Sequence, residues 1–248
     1  MRLFNLLRKS CFLWLAGLFW FFVLLTPRAV IDLPLSHSDR AQNFYNGICA
    51  YNHGNKQQAV IFLKKAAQAG CYAANWKLAY MYAAGDGVQQ DYKTAKSFFT
   101  KLIKTRLSII SPDATYVSDA LVRLGCYAKE GVAAASGLPN IKQARHLFLQ
   151  AAIIFRNAEA EYLLGQMFLQ ESNTKKNRLQ AARWFGLAAA KGNVLAQENL
   201  GKLLLQMNQP SGAIIVLNKA YHHSEGEQKR YVAFLEHILL SLHSRLDP

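Results

Sequence analysis

The chain has 248 residues, is 52% hydrophobic and carries a formal net charge of +14. This length suffices for one sizeable core or for an array of small stacked units. The positive charge would suit nucleic acid, anionic lipid or an acidic protein face. Because no aromatic-interleaved basic patch or recognised nucleic-acid motif accompanies it, we predict no nucleic-acid partner and interpret most of the charge as solvated helix surface.

The N-terminus resembles an export signal. Arg2, Arg8 and Lys9 precede an uncharged apolar run from Cys11 to Leu25, as in the charged and apolar regions of a signal peptide. The run is short for a membrane-spanning helix, which needs about 20 residues. Residues 1–29 are therefore predicted to be a signal peptide, with an uncleaved signal anchor as the alternative. A buried N-terminal helix of a cytosolic protein would not explain the aromatic rings beside a wholly basic flank.

Both interpretations place the rest of the chain in the periplasm, and any membrane contact would be made by residues 11–25. Residues 30–40 contain proline, serine and charge and are predicted to be a linker. An oxidising compartment would permit a disulfide, for which Cys49 and Cys71 are the candidate pair. Together with Cys126 they make three cysteines outside the N-terminal segment, and this odd number argues against a disulfide framework. We therefore interpret the cysteines as small apolar packing residues. No metal or cofactor motif is found.

The best-defined unit is the segment from Ala74 to Leu102, in which two amphipathic stretches flank Gly85-Asp86-Gly87. Apolar residues recur at helical spacing on both sides, and glycine readily adopts the left-handed conformation of a tight turn. A helical hairpin of this size cannot bury its own apolar face. If the pattern recurs, the protein is a solenoid, and solenoids stack such units.

The pattern does recur. A Leu-Gly or Leu-Ala step marks first helices, with an alanine four residues before each leucine, at Ala74, Ala120, Ala160 and Ala196; Asn46-Gly47 is a weaker match. Second helices share alanine followed three and four residues later by bulky side chains, beginning at Ala59, Ala95, Ala144, Ala181 and Ala213. The sequence therefore predicts an all-α solenoid of about five helix pairs over residues 41–223.

Two loops and the C-terminus interrupt the pattern. An insertion spans residues 105–116, within which Ser111-Pro112-Asp113 is typical of a helix start, and a loop spans residues 131–140. Either loop is a candidate partner or protease site; neutral insertion is the alternative. Residues 224–248 open with a capping-box pattern and are predicted to be a helix that caps the last pair, with a dimerisation helix as the alternative.

The string from Ala74 to Phe99 resembles a Sel1-type repeat, a bacterial relative of the tetratricopeptide repeat. Over roughly Ala66 to Asn208, a region that includes the hairpin, the insertion and the following stretch to Val132, the chain also resembles the family of periplasmic negative regulators of exopolysaccharide production from rhizobia-type bacteria. That resemblance implies a non-enzymatic protein that restrains a membrane sensor histidine kinase through the kinase's periplasmic domain. The later units are more degenerate than the family pattern.

We find no catalytic arrangement of side chains and predict that the protein is not an enzyme. Asp86, Asp91 and Asp113 lie in predicted turns, where aspartate is favoured because it bonds the backbone. His222-His223 has no third metal ligand nearby and is interpreted as a solvated helix end. An unrecognised enzymatic site in the insertion loops is the weakest of the hypotheses.

The partner-binding site is predicted from the geometry of the first helices. Residues two and six positions after each first-helix alanine point away from the core at about 200° and 240°, and in a stack they would line a concave surface. They are Trp76 and Tyr80, Tyr162 and Gln166, and Glu198 and Lys202. The alternative for the Trp76–Tyr80 pair is packing under a neighbouring loop or the N-terminal unit. The leading function is restraint of a partner protein; a periplasmic scaffold or chaperone-like factor for envelope assembly is the alternative.

Overall fold

A computed structural model describes residues 37–104, 110–134, 137–172 and 174–223. These residues form α-helices and connecting turns, with no strand among them. The all-α class is confirmed. In chain order the helices are α1 His37–Asn52, α2 Lys56–Gln68, α3 Tyr72–Ala84, α4 Tyr92–Lys104, α5 Ala114–Glu130, α6 Ile141–Phe155, α7 Ala158–Glu171, α8 Lys175–Ala190, α9 Val194–Gln206 and α10 Pro210–His223.

Consecutive helices form five pairs, which we call units one to five; α1, α3, α5, α7 and α9 are the first helices, and the others are the second helices. Each helix packs chiefly against the helices before and after it in the chain. This nearest-neighbour stacking defines a solenoid. The five predicted pairs are therefore confirmed.

Within each unit, a small residue of the first helix meets a bulky residue of the second. A Cβ added to Gly125 would lie 2.4 Å from a ring carbon of Phe148, and one added to Gly165 would lie 2.5 Å from a ring carbon of Phe185. Gly201 approaches Leu217, and Gly47 approaches Leu63, in the same way. The small first-helix residue at each contact therefore determines how closely the two helices of a unit approach each other.

The bulky residues at the contact belong to the predicted second-helix template and are fully or almost fully buried: Leu63, Phe99, Phe148, Phe185 and Leu217. The alanine that opens each template is 0% exposed, at Ala59, Ala95, Ala144, Ala181 and Ala213. The template thus identifies the inward face of every second helix. Buried side chains of neighbouring units join into three clusters, the largest of which runs from Ala79 to Met167.

Asparagine N-caps begin several helices, a feature that the sequence analysis did not identify. The side-chain oxygens of Asn140, Asn157 and Asn193 accept hydrogen bonds from the backbone N–H groups three residues later, at 3.0, 2.9 and 2.8 Å. Asn55 makes the same contact at 3.3 Å. Each cap satisfies one of the amides that a helix N-terminus leaves unpaired.

The glycine turn of unit two is confirmed, since Gly85 and Gly87 have φ angles of 73° and 79°. A Cβ at Gly87 would also lie 2.4 Å from Cβ of Lys56, so this residue combines a left-handed backbone with close approach to α2. Asp91 behaves as predicted for a turn aspartate and accepts hydrogen bonds from the backbone N–H groups of Lys93 and Thr94.

Asp113 and Asp86 differ from the prediction. Asp113 is the N-cap of α5 but makes no side-chain cap bond; its N–H donates instead to Oγ of Ser111 at 3.2 Å. Asp86 bonds side chains of unit one rather than the backbone. The reason is spatial: the glycine turn brings Asp86 against α1 and α2.

The disulfide between Cys49 and Cys71 does not form, and Cys126 is also a free thiol. The Cys49 side chain lies beside the hydroxyl of Tyr45 on its own helix, whereas Cys71 precedes α3 and packs against the apolar cluster that Leu63 and Leu78 help to build. All three cysteines are half-buried. Burial raises the pKa of the Cys126 thiol, as expected for a packing residue.

The first helix begins at His37, within the predicted linker of residues 30–40. The predicted signal or anchor segment and the predicted capping helix at residues 224–248 lie outside the described residues. Among those that are described, no helix is both long enough and apolar enough to span a membrane.

Candidate functional site

The first helices present side chains that connect one unit to the next, and we call this surface the first-helix face. At units two and three, Trp76 and Tyr80 of α3 reach Asp119 of α5. At units three and four, Arg123 of α5 pairs with Glu159 of α7. The face is therefore built by residues that are distant in sequence but lie on the first helices of successive units.

Trp76 and Tyr80 do not face solvent freely. Their ring centroids lie 4.7 Å apart, and Trp76 lies 5.7 Å from the ring of Tyr116. The rings pack against the largest buried cluster, and both side chains are half-buried. The pair is therefore packed, but against α5 of the following unit rather than under a loop or the N-terminal unit.

Asp119 is the acceptor that both aromatic side chains share. The indole Nε1–H of Trp76 donates to Oδ2 of Asp119 at 2.6 Å, and the hydroxyl of Tyr80 donates to the same oxygen at 2.9 Å. Burial raises the pKa of Tyr80, and the negative charge of Asp119 raises it further. The phenol consequently stays protonated and remains a donor.

Arg123 extends the network along the face. It lies one helical turn after Asp119, with Nε 3.6 Å from Oδ1, and its guanidinium also pairs with Glu159 of the next unit. Burial lowers the pKa of Arg123, but the neighbouring Tyr80, Glu159 and Asp119 raise it more. A half-buried cation is thereby held between carboxylates of two units, although its buried Nε makes no hydrogen bond with the described residues.

The face is more open at units four and five. Nε2 of Gln166 donates to the Tyr162 hydroxyl at 2.6 Å, and the Tyr162 ring lies 5.8 Å from that of Phe185. Glu198 and Lys202 form an ion pair one turn apart on α9, and Lys202 is exposed. Burial and the charge of Glu198 raise the pKa of Tyr162. These four predicted residues therefore share one region that retains accessible polar groups.

Sequence reasoning missed Tyr116, Asp119, Arg123 and Glu159, since the template used only the positions two and six after each first-helix alanine and these residues lie at other positions. A usable signal exists: Asp119 and Glu159 each immediately precede the unit's alanine, and Arg123 lies one turn after Asp119. Opposite charges at that spacing share a helix face. The contacts that these charged residues make with neighbouring helices could be identified only from the structure.

A second junction joins units one and two through Asp86. The Tyr51 hydroxyl donates to Oδ2 of Asp86 at 2.6 Å, and Lys56 forms an ion pair with the same carboxylate. Nζ of Lys77 lies 3.4 Å from the Tyr51 ring centroid, a cation–π contact. The hydrogen bonds from Lys56 and Tyr51 lower the pKa of Asp86.

An open cleft of about 370 Å³ lies beside the predicted insertion. It is lined by Ser111, Thr115, Ser118, Phe155 and Asn157, together with neighbouring apolar groups. Nδ2 of Asn157 donates to Oγ of Ser118 at 2.9 Å inside it. The described residues hold no cluster of three or more His, Cys, Asp or Glu side chains placed to bind a metal. A binding role for the insertion loops stays a prediction.

The fold and this face define an α-solenoid of repeated helix pairs. The model of the Sel1 repeat matches residues 41–71, 73–104, 118–153 and 158–193. These matches cover more than half of the chain, which therefore belongs to the Sel1 repeat family. They correspond to units one to four, and the predicted repeat resemblance is confirmed. Sel1 repeats typically mediate protein–protein interaction.

Two relatives are named exopolysaccharide production negative regulator. The protein of Rhizobium leguminosarum bv. viciae is 29% identical over 204 residues, which cover 82% of this chain and 76% of the relative. That of Rhizobium meliloti (strain 1021) is 28% identical with the same coverage. The crystal structure of a Sel1 repeat protein from Oxalobacter formigenes is similar with a TM-score of 0.59, at 22% identity, covering 88% of this chain and 84% of that one. The structural likeness supports the fold.

Proposed function

We propose that this protein is an exported, periplasmic regulator that binds the periplasmic domain of a membrane sensor histidine kinase and restrains it, and so limits exopolysaccharide production. The observation that carries the proposal is the similarity to relatives named exopolysaccharide production negative regulator over most of both chains. The export-type N-terminus supports the location, and the Sel1 scaffold supports binding to a protein rather than catalysis.

The part of the first-helix face at units four and five is proposed as the partner contact. Its polar groups are more accessible than those at units two and three, where Asp119 and Arg123 are engaged internally. Tyr162 supplies a half-buried aromatic ring near Glu198, which in turn pairs with Lys202. An aromatic anchor with a charged surround is typical of interface hot spots.

Capture from membranes tests the partner. Affinity-tagged protein should recover a sensor histidine kinase from detergent-solubilised membranes, and deletion of the gene should raise transcription of exopolysaccharide genes. Normal transcription with a defective envelope would instead favour a scaffold or chaperone-like factor. Recovery of no histidine kinase under conditions that retain other complexes would contradict the proposal.

A charge swap tests the surface. Glu198→Lys with Lys202→Glu keeps the intrahelical ion pair but reverses the order of charge, so stability should change by only a few tenths of a kcal/mol. Kinase capture should fall about tenfold or more because a complementary partner would meet the wrong charge. The matched control swaps Asp39 and Arg40, which lie on α1 outside the proposed contact, and should bind normally. Equal capture by both swaps would exclude this surface.

A further inference from the structure

The second helices carry no acidic residue. The sequences of α2, α4, α6, α8 and α10 contain lysine or arginine and no aspartate or glutamate. The first helices differ, since they hold both charges: their acidic residues are Asp39, Asp119, Glu130, Glu159, Glu161, Glu171 and Glu198. Among the described helices, acidic residues are thus confined to first helices, whereas basic residues occur on both members of the pairs.

The outward face of the second helices can be located from their buried alanines. Positions two before, two after and six after the alanine lie about 160° to 240° away from it around the helix. Cations at these positions are exposed: Lys65, Lys93, Lys101, Lys142 and Arg183. We call this surface the second-helix face.

Most of its charge is not neutralised by the described part of the chain. Lys65, Lys142 and Arg183 form no ion pair with any described residue. Two other basic residues of the second helices do form ion pairs: Lys56 pairs with Asp86, and Arg145 pairs with Glu171. A row of uncompensated cations on one side produces a directional positive potential.

Aliphatic side chains alternate with these cations. At the same outward positions, Ile61 is 49% exposed, Leu179 43%, Leu187 49% and Ile215 60%, and Ile153, near the end of α6, is 66% exposed. A soluble polyanion would gain nothing from these side chains. A lipid surface would, because basic residues bind anionic headgroups while isolated aliphatics enter the boundary with the acyl chains.

We infer that the second-helix face docks on a phospholipid bilayer whose surface carries anionic headgroups. The charge of the face selects the anionic surface, and the exposed isoleucines and leucines favour a bilayer over a soluble polyanion. The first-helix face would then point away from the lipid and remain accessible. The inference does not depend on the identity of any protein partner.

Vesicle co-sedimentation of the full chain tests it. Vesicles of phosphatidylcholine with phosphatidylglycerol should bind the protein more tightly than phosphatidylcholine alone, and salt should weaken this difference. Contributions of residues 11–25 are common to every variant and cancel in the comparison. Lys65→Gln/Lys142→Gln/Arg183→Gln should lower the phosphatidylglycerol-dependent affinity at least about tenfold, since each cation near the surface contributes roughly fivefold.

The matched control removes the same charge from the first helices, as Arg40→Gln/Lys129→Gln/Lys202→Gln, and should bind nearly as wild type. Circular dichroism should show all variants folded, because the changed side chains are exposed or half-exposed. Equal losses in the two triple variants would mean that only net charge matters, which would overturn the assignment to this face.

A second variant distinguishes binding to a lipid surface from binding to soluble polyanions. Ile153→Ser/Ile215→Ser should weaken binding to anionic vesicles while leaving binding to soluble polyglutamate and polygalacturonate unchanged. Binding to these polymers with none to vesicles would overturn the bilayer in favour of an acidic protein or polysaccharide. Loss of vesicle binding with kinase capture retained would leave the proposed function intact, so the two proposals fail separately.

Discussion

One carboxylate links three segments of the chain at the junction of the first two units. Asp86 accepts a hydrogen bond from Tyr51 of α1 and pairs with Lys56 of α2, although it belongs to the turn after α3. Lys77 adds a positive charge nearby, and burial lowers its pKa. A turn residue that a repeat pattern would assign to local backbone bonding therefore acts between units.

Asp86→Asn should lower the free energy of unfolding at neutral pH by about 1 kcal/mol. Because the pKa of Asp86 is lowered in the folded state, its contribution to stability is present above the ordinary value of 3.8 and is lost as the pH falls through the lowered pKa. Urea unfolding of both proteins at neutral pH and at about pH 2.5 should therefore show the difference shrinking. A difference that persists unchanged in acid would contradict this assignment.

Two glycines of unit four offer a matched test of the small-to-large contact. Gly165→Ala places a Cβ 2.5 Å from the Phe185 ring and should destabilise the protein by about 1–3 kcal/mol through overpacking. Gly186→Ala, on α8, meets nothing within 4 Å and should be neutral or stabilise by up to about 1 kcal/mol. Thermal and urea unfolding of the two variants would measure the contrast. Equal effects would show that the close approach does not limit the packing.

At the scale of elements, α3 and α5 are joined by packed aromatic rings and by hydrogen bonds from those rings to one carboxylate. Trp76 and Asp119 are joined by a 2.6 Å hydrogen bond to a charged acceptor, a type of bond worth about 1.5–3 kcal/mol. The aromatic pair that the sequence suggested as a partner anchor has an internal role in holding two units together. Its part in partner binding stays a prediction.

A double-mutant cycle with Trp76→Phe and Asp119→Ala should give a coupling energy of about 1–2 kcal/mol. The matched cycle uses Trp76→Phe with Thr115→Ala, since Thr115 is exposed on the same helix as Asp119 and bonds only its own turn. That control should be additive. Additivity in both cycles would mean that the hydrogen bond does not couple the units.

The alanine and glycine registers predicted the five helix pairs and their inward faces because packing repeats in every unit. The asparagine caps at Asn140, Asn157 and Asn193 are visible in the sequence once helix starts are known, but the apolar pattern alone places those starts too loosely. The surroundings of Trp76 depend on which residue of the next unit lies opposite. Relative placement of units is a tertiary property that helical periodicity does not encode.

At the scale of the whole molecule, stability is distributed over neighbour contacts rather than one core. The largest buried cluster joins units two to four, while smaller clusters serve the two ends. Stacked repeats of this kind open from their ends, since a terminal unit has one neighbour and an internal unit has two.

Hydrogen–deuterium exchange should therefore be slowest in α5 and α6 and faster in α1 and α2. The contrast should grow in low concentrations of urea that leave the protein folded, because end units open at lower free energy. Peptide-level mass spectrometry would measure it. Uniform protection from α1 to α6 would indicate a single cooperative unit instead.

The glycine-to-bulky contacts have a consequence for how such a chain changes length. Each contact, such as Gly125 with Phe148 or Gly201 with Leu217, lies inside one unit, so both members travel together when a whole helix pair is duplicated, removed or exchanged. A recombination boundary between pairs preserves every such match, whereas a boundary inside a pair can exchange a phenylalanine partner for a leucine or the reverse. Units are consequently the natural pieces for building longer or shorter versions of this protein.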